Sequence, residues 1–261
     1  MATETASPRA STKFVATESG VRVDLFSADE VRALPLGEDH PLARMVDWCV
    51  NFLGRPHSEL GRSGNVCPFV PEALMRGALQ FAVVALRNRG AAAVSEIEEI
   101  IVACREHFLA SERDHGKSDI FISMIIIFPD VTPEEAPTVI DPLQRKLKPS
   151  FVREGLMLGE FHPLSPAPGL RNRDFRPLRS PVPLLAIRHM VESDVDFLMA
   201  PVDPAATRVR SLSAYLQFLG PSMSVASQIK ANEALRAAEA EAAAEPTKGD
   251  EVVVTRHSTS E

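Results

Sequence analysis

Three sets of side chains in this sequence have chemistry beyond filling a core. The first is Cys67, in the stretch GRSGNVCPF (61–69). Gly61 and Gly64 allow the backbone unusual turns, and Pro68 pushes Cys67 toward extended geometry. A thiolate is a nucleophile or soft metal ligand where its pKa is lowered; elsewhere a cysteine is a small buried hydrophobe anchoring a turn. The second is His162, which with Phe161 and Pro163 stands where an apolar run ends and a rigid loop begins. Three roles are open to it: metal or haem-iron ligand, proton-transfer group near neutral pH, or a hydrogen-bonded histidine tying the loop down. His189, at the end of another apolar run beside Met190, reads as structural. The third set is arginine, and it is concentrated in one place.

Residues 161–190 read FHPLSPAPGLRNRDFRPLRSPVPLLAIRHM, with six prolines, five arginines and two histidines. The segment has a formal charge of +4 (five Arg less Asp174) inside a protein of net −7. Proline fixes φ and removes a donor, so most of this stretch is a rigid, irregular loop. Loops of this length are usually functional or disordered, and pinning by proline between apolar runs favours function. Arginine forks fit carboxylates and phosphates. The ligand-binding candidates are therefore Arg171, Asn172, Arg176, Arg179, Ser180 and Arg188, with Arg179 best placed because it leads into a strand. The plainer alternative is that these arginines pair with surface carboxylates, where a pair is worth about 0–1 kcal/mol.

The elements that must position these groups can be read in order. Leu42, Met45, Val46, Cys49, Val50 and Leu53 line one face of a helix that Pro41 opens and Gly54 ends. Leu79–Leu86 is strand-length. Ser95 with Glu98 forms a capping box for a helix that turns Ile97, Ile100, Ile101, Cys104 and Phe108 inward. Asp119–Phe128 (DIFISMIIIF) is the clearest strand, β-branched and nearly continuous, so central. Thr132, Pro133 and Glu135 open a helix reaching about Lys146. Gly155–Phe161 and Pro183–His189 are the third and fourth strands, with the proline-arginine loop between them. Helices from Ser193 and from Asp203-Pro204 follow, the latter capped by Gly220. Val21–Phe26 alternates and can add a short edge strand.

This order predicts an α+β fold: a single mixed or antiparallel sheet of about four strands with helices packed on it. The expected organisation is a disordered segment at 1–33, one α+β domain at 34–220, and a tail at 221–261 that is helix-prone and then disordered. An apolar fraction of 45% and a charged fraction of 24% are ordinary for a globular protein. Three scattered cysteines make no disulfide framework and no CxxC zinc pair, which points to a reducing, cytoplasmic setting. The N-terminus has no apolar signal core, and the longest apolar run, Met124–Phe128, is far too short for a bilayer. A sequence pI near 5.6 argues against general nucleic-acid binding. Oligomeric state is left open. There is no GxGxxG after a strand and no GxxxxGK[ST], HExxH or GxSxG, which removes the support for dinucleotide, P-loop, zinc-protease and α/β-hydrolase readings.

In combination, NVCPF, an apolar strand ending in FP, a later EFHP and the run PLRSPVPLLAIR resemble an uncharacterised actinobacterial domain-of-unknown-function family, over about residues 38–220. More distantly, Cys67 and the loop after His162 are similar to the YqcI/YcgG-type haem-dependent N-oxygenases, which carry an early cysteine and a later HP followed by arginines. That second resemblance implies haem as cofactor, His162 as iron ligand, and nearby arginines as propionate or substrate partners. The expectation is an enzyme of specialised metabolism, with His162 and Cys67 as catalytic candidates, acting on a small anionic or amino-acid-like substrate. The alternative is a non-catalytic protein that holds an anionic ligand or an acidic partner on the arginine loop.

Overall fold

The structure is a computed structural model that describes residues 13–115 and 119–244. Its frame is one six-stranded mixed sheet. From edge to edge the strands are β1 (Lys13–Ala16), β2 (Arg22–Ser27), β3 (Leu79–Val83), β4 (Ser123–Ile127), β6 (Leu184–His189) and β5 (Leu156–Phe161). Only β3 and β4 run parallel, joined by a crossover containing α4 (Ala91–His115); every other pairing is antiparallel. The continuous apolar run of β4 follows from its place, since both faces of the sheet are covered there. Met124 and Ile126 join Leu158, Leu185 and Ile187 in one core with α4 and α5 (Ala136–Arg153). Ile125 and Ile127 join Phe81 and Leu184 in a second core, under α1 (Ala28–Ala33), α2 (Pro41–Trp48) and α3 (Val70–Met75).

Three expectations need correction. The sheet has six strands rather than about four, and the added pair comes from the segment expected to be disordered to residue 33. Lys13–Ala16 and Arg22–Ser27 form a hairpin, with Val15, Val23 and Leu25 buried and the Ser19 amide donating to Glu99 on α4 (2.7 Å). Ser27 and Glu30 then cap α1 reciprocally, the same device read elsewhere in the sequence. Second, α4 begins at Ala91 and so runs through Ser95; three consecutive alanines extend it. Third, α5, which already contains Pro142, continues beyond Lys146 through Pro149 to Arg153. Each proline costs a helical hydrogen bond, but Ile140, Leu143, Leu147 and Phe151 all bury along the stripe that continues. The box at its start is present: Thr132 and Glu135 exchange side-chain bonds to each other's amides.

The C-terminal helices form a third core. α6 (Val195–Leu198), α7 (Ala205–Leu219) and α8 (Val225–Ala244) enclose Leu212 and Tyr215, and α8 enters through the small buried faces of Ala231 and Ala238. The thin alanine stripe is enough because α7 supplies the bulk. Residues 221–244 thus belong to the packed structure. Residues 1–12 and 245–261, where disorder was also expected, lie outside the described residues. No described helix is long and apolar enough to cross a membrane.

The hairpin gives a direct test. Val15 is 4% exposed and its neighbour Phe14 is 44% exposed. Val15→Ala removes two buried methylene equivalents and should cost about 2 kcal/mol in urea unfolding. Phe14→Ala should cost less than half as much. Equal small effects from both would mean the hairpin adds nothing to the fold.

Candidate functional site

The site begins with a defect in a helix. After Trp48 the hydrogen bonding of α2 widens, and the Gly54 amide reaches back five residues to the Cys49 carbonyl (2.8 Å). Such π-type turns insert one residue and often mark functional places. Cys49 and Leu53 stay in the core, while Trp48 and Phe52 stack on the outer side at 5.7 Å. Beyond Gly54 the chain turns through His57, whose ring meets Phe52 at 5.8 Å edge-on and lies flat against Phe175 at 4.8 Å. Phe175 comes from the proline-arginine loop. Phe161, the last residue of β5, closes the set with an edge contact to Trp48 at 5.9 Å.

The rings of Trp48, Phe52, His57 and Phe175, with Glu59, Asp174, Arg176 and Arg179, line an open cleft of about 360 Å³, and Phe161 supports Trp48 from outside it. The loop is sewn to its far wall by Asn172. Its amide nitrogen donates to the Glu59 carbonyl (2.9 Å) and its oxygen accepts from the Asp174 amide (3.0 Å). Gly61 lets the two walls meet: at φ +74° it lies where a Cβ would stand 2.9 Å from that of Arg171. Arg176 folds back on the carbonyls of Arg173 and Phe175. Arg179 gives only its Nε, to the Ser165 carbonyl at 3.2 Å, and leaves the end of its fork toward solvent. His57 accepts the Glu59 amide at Nδ1 (3.2 Å), so a neutral ring carries its proton on Nε2.

The sequence candidates therefore divide. Arg176 and Arg179 line the cleft, and Asn172 holds it together. Arg171 and Ser180 flank it: Arg171 is exposed against Gly61, and Ser180 is buried with its hydroxyl on the Val182 carbonyl (2.7 Å). Arg188 is engaged elsewhere, forked onto the buried Asp194 carboxylate at 2.6 and 2.7 Å. Burial works against its charge and Asp194 outweighs that, holding the guanidinium above its ordinary pKa. Cys67 is an electrostatic neighbour of Arg188, with its amide on the Leu53 carbonyl (2.8 Å).

His162 turns to the other face of the sheet. It has no exposure, and its Nε2 lies 3.0 Å from Asp141 on α5. Its Nδ1 is buried without a partner among the described residues. A haem-iron ligand needs a ring nitrogen facing the space the metal occupies. With one nitrogen on Asp141 and the other enclosed, the residues as arranged do not fit a haem. No three metal-ligating side chains cluster among the described residues.

Sequence reading missed Trp48, Phe52, His57 and Glu59. The signal was present but faint: the only tryptophan of the chain sits four residues before Phe52, off the apolar face of a helix that was already complete without it.

Residues 42–230 match a family described as a domain of unknown function (DUF6875). The chain belongs to that family. No curated protein and no solved structure matches it. The cleft and the Asp141–His162 pair both lie within the DUF6875 region.

One further group near this pair titrates abnormally. Burial pushes the carboxyl of Glu160 up to about 7; the charge of Asp141 adds to the rise, while Lys148 and Arg145 oppose it. A folded-state pKa above the unfolded one means the folded chain keeps the proton longer. The resulting stability is complete below the ordinary carboxylate range and is lost as pH rises through about 7. Glu160→Gln should raise the Tm by about 3 °C at pH 8 and leave it unchanged at pH 4. Parallel Tm-against-pH curves for the two proteins would refute the assignment.

Proposed function

We propose that this DUF6875 chain holds a small ligand with a carboxylate, or a similar compact anion, attached to a planar apolar body. The observation that carries this reading is the meeting of Arg176 and Arg179 with the rings of Trp48, Phe52, His57 and Phe175 around one cleft. Aromatic faces take a flat apolar group, and a guanidinium fork takes an anion in two parallel hydrogen bonds. Glu59 and Asp174 on the same rim admit an ammonium, so amino-acid-like ligands fall within the class. Aromatic walls with a few convergent polar groups are the usual make-up of small-molecule sites.

A catalytic version of this reading rests on His57. Its Nδ1 is committed to a backbone amide, so the Nε2 proton is the one it can exchange within the cleft wall. An enzyme of specialised metabolism acting on a small anionic substrate would use it as acid or base. The non-catalytic binding protein uses the same cleft without that step.

Trp48 makes the test direct, because the only tryptophan of the chain lines the cleft. Phenylacetate should change its fluorescence saturably. Arg179→Ala should weaken the Kd about tenfold, the loss of one charge-assisted contact. Arg173→Ala, outside the cleft, should leave it within twofold. A linear, non-saturating response, or equal affinity in wild type and Arg179→Ala, would reduce the cleft to a solvated surface.

A further inference from the structure

Arg179 reaches the cleft from a loop that cannot hold itself, and its support can be followed bond by bond. Its Nε donates to the Ser165 carbonyl (3.2 Å). Ser165 is buried, and its amide donates to the His162 carbonyl (3.0 Å), closing a tight turn around Pro163. Proline at the second position pre-sets the φ that such a turn needs. Among the described residues, the side-chain tie of the turn to the body of the protein at His162 is the Nε2 contact to Asp141 (3.0 Å). Asp141 is fixed in turn by α5, whose Ile140 and Leu143 lie in the core on either side of it in sequence.

We infer that Asp141 and His162 are positioning residues for Arg179, fixing through the Ser165 turn where its guanidinium fork stands in the cleft. Three observations converge on this. His162 is fully buried and Asp141 half-buried, and such a pair is weak support for stability in itself, because desolvation offsets the attraction. The pair holds the loop at its first residue after β5, where a shift displaces everything behind it. And among the described residues Nε is the one guanidinium nitrogen of Arg179 that makes a hydrogen bond, which orients the fork and leaves its two terminal nitrogens to meet an anion. The inference rests on the reading of the cleft as a ligand site, but the geometry it asserts exists without ligand.

The test has two parts. In 15N-labelled protein without ligand, the Arg179 Nε–H should exchange slowly with solvent. It should exchange about tenfold faster in Asp141→Ala and in His162→Leu, as expected when a local opening becomes easier. His162→Gln, which keeps a donor for Asp141, should stay near wild type, and Arg173 Nε–H should be alike in all. In the second part, Asp141→Ala and His162→Leu each weaken phenylacetate about tenfold. Adding Arg179→Ala to either gives no further loss, the non-additivity of residues acting through one group. If His162→Leu does not fold, Asp141→Ala, an alanine within a helix, carries the test. Unchanged Arg179 exchange in Asp141→Ala overturns the inference whatever the cleft binds. Independent, additive losses of affinity overturn it too. Absence of phenylacetate binding in wild type overturns the cleft reading alone, and the exchange measurement still decides the positioning.

Discussion

The structure depends on how a proline-rich segment is held. Between β5 and β6 lie residues 162–183, six of them proline, so the segment lacks six of the amide donors a loop normally uses to fasten itself. What replaces them is a short set of contacts to elements that are themselves rigid. His162 is tied to α5, Asn172 to the Glu59 carbonyl, the Pro181 carbonyl to Arg44 on α2, and the Pro183 carbonyl to the amide of Phe128 just past β4. Each tie lands on a different part of the fold. The loop therefore cannot be placed by local sequence, and its shape reports the packing of α2, α5 and the sheet together.

The same constraint explains why the cleft lies where it does. A sheet with both faces covered has little room for a concavity, except where a covering element departs from regularity. α2 supplies that departure by widening after Trp48, which sets two half-buried aromatic rings at the edge of the core while Cys49 and Leu53 stay within it. The loop then supplies Phe175 against His57 and closes the opposite wall. Neither half makes a site alone. Gly61, free of a Cβ and at positive φ, lets the backbone of Arg171 come close where the two halves meet.

How much of this was legible depended on whether the signal was local. β4, β5 and β6 were readable because β-branched and apolar runs bounded by proline or glycine have few other uses. β1 was not, since KFVA has one buried residue and gains its place only by pairing with β2. The ends of α4 and α5 were misjudged for a shared reason: alanine propensity at one and a buried stripe at the other outweighed the nearest start or stop signal. For the site, residue type pointed to the arginine loop, and two of its arginines do line the cleft. Residue type said nothing of Trp48, His57 or Glu59, because rings at helical spacing look the same whether they fill a core or floor a cleft.

Two arginines differ in what the fold gives their charge. Arg188 stands on β6 beside a turn whose Asp194 is fully buried, and both of that carboxylate's oxygens are committed to it. Removing either partner would leave a buried charge alone, so neither is available to a ligand. Arg179 is offered only a carbonyl, at one nitrogen. A carbonyl dipole orients a guanidinium without neutralising it, and Arg179 forms no ion pair with a carboxylate among the described residues, although Glu59 and Asp174 line the same cleft. Arg171, Arg173 and Arg176 of the same loop likewise form no carboxylate ion pair among the described residues, and of these Arg176 is turned back onto two carbonyls. On the proposed reading of the cleft, Arg179 is the member of this cluster best placed to meet an anion, because one carbonyl sets the orientation of its fork without offsetting its charge.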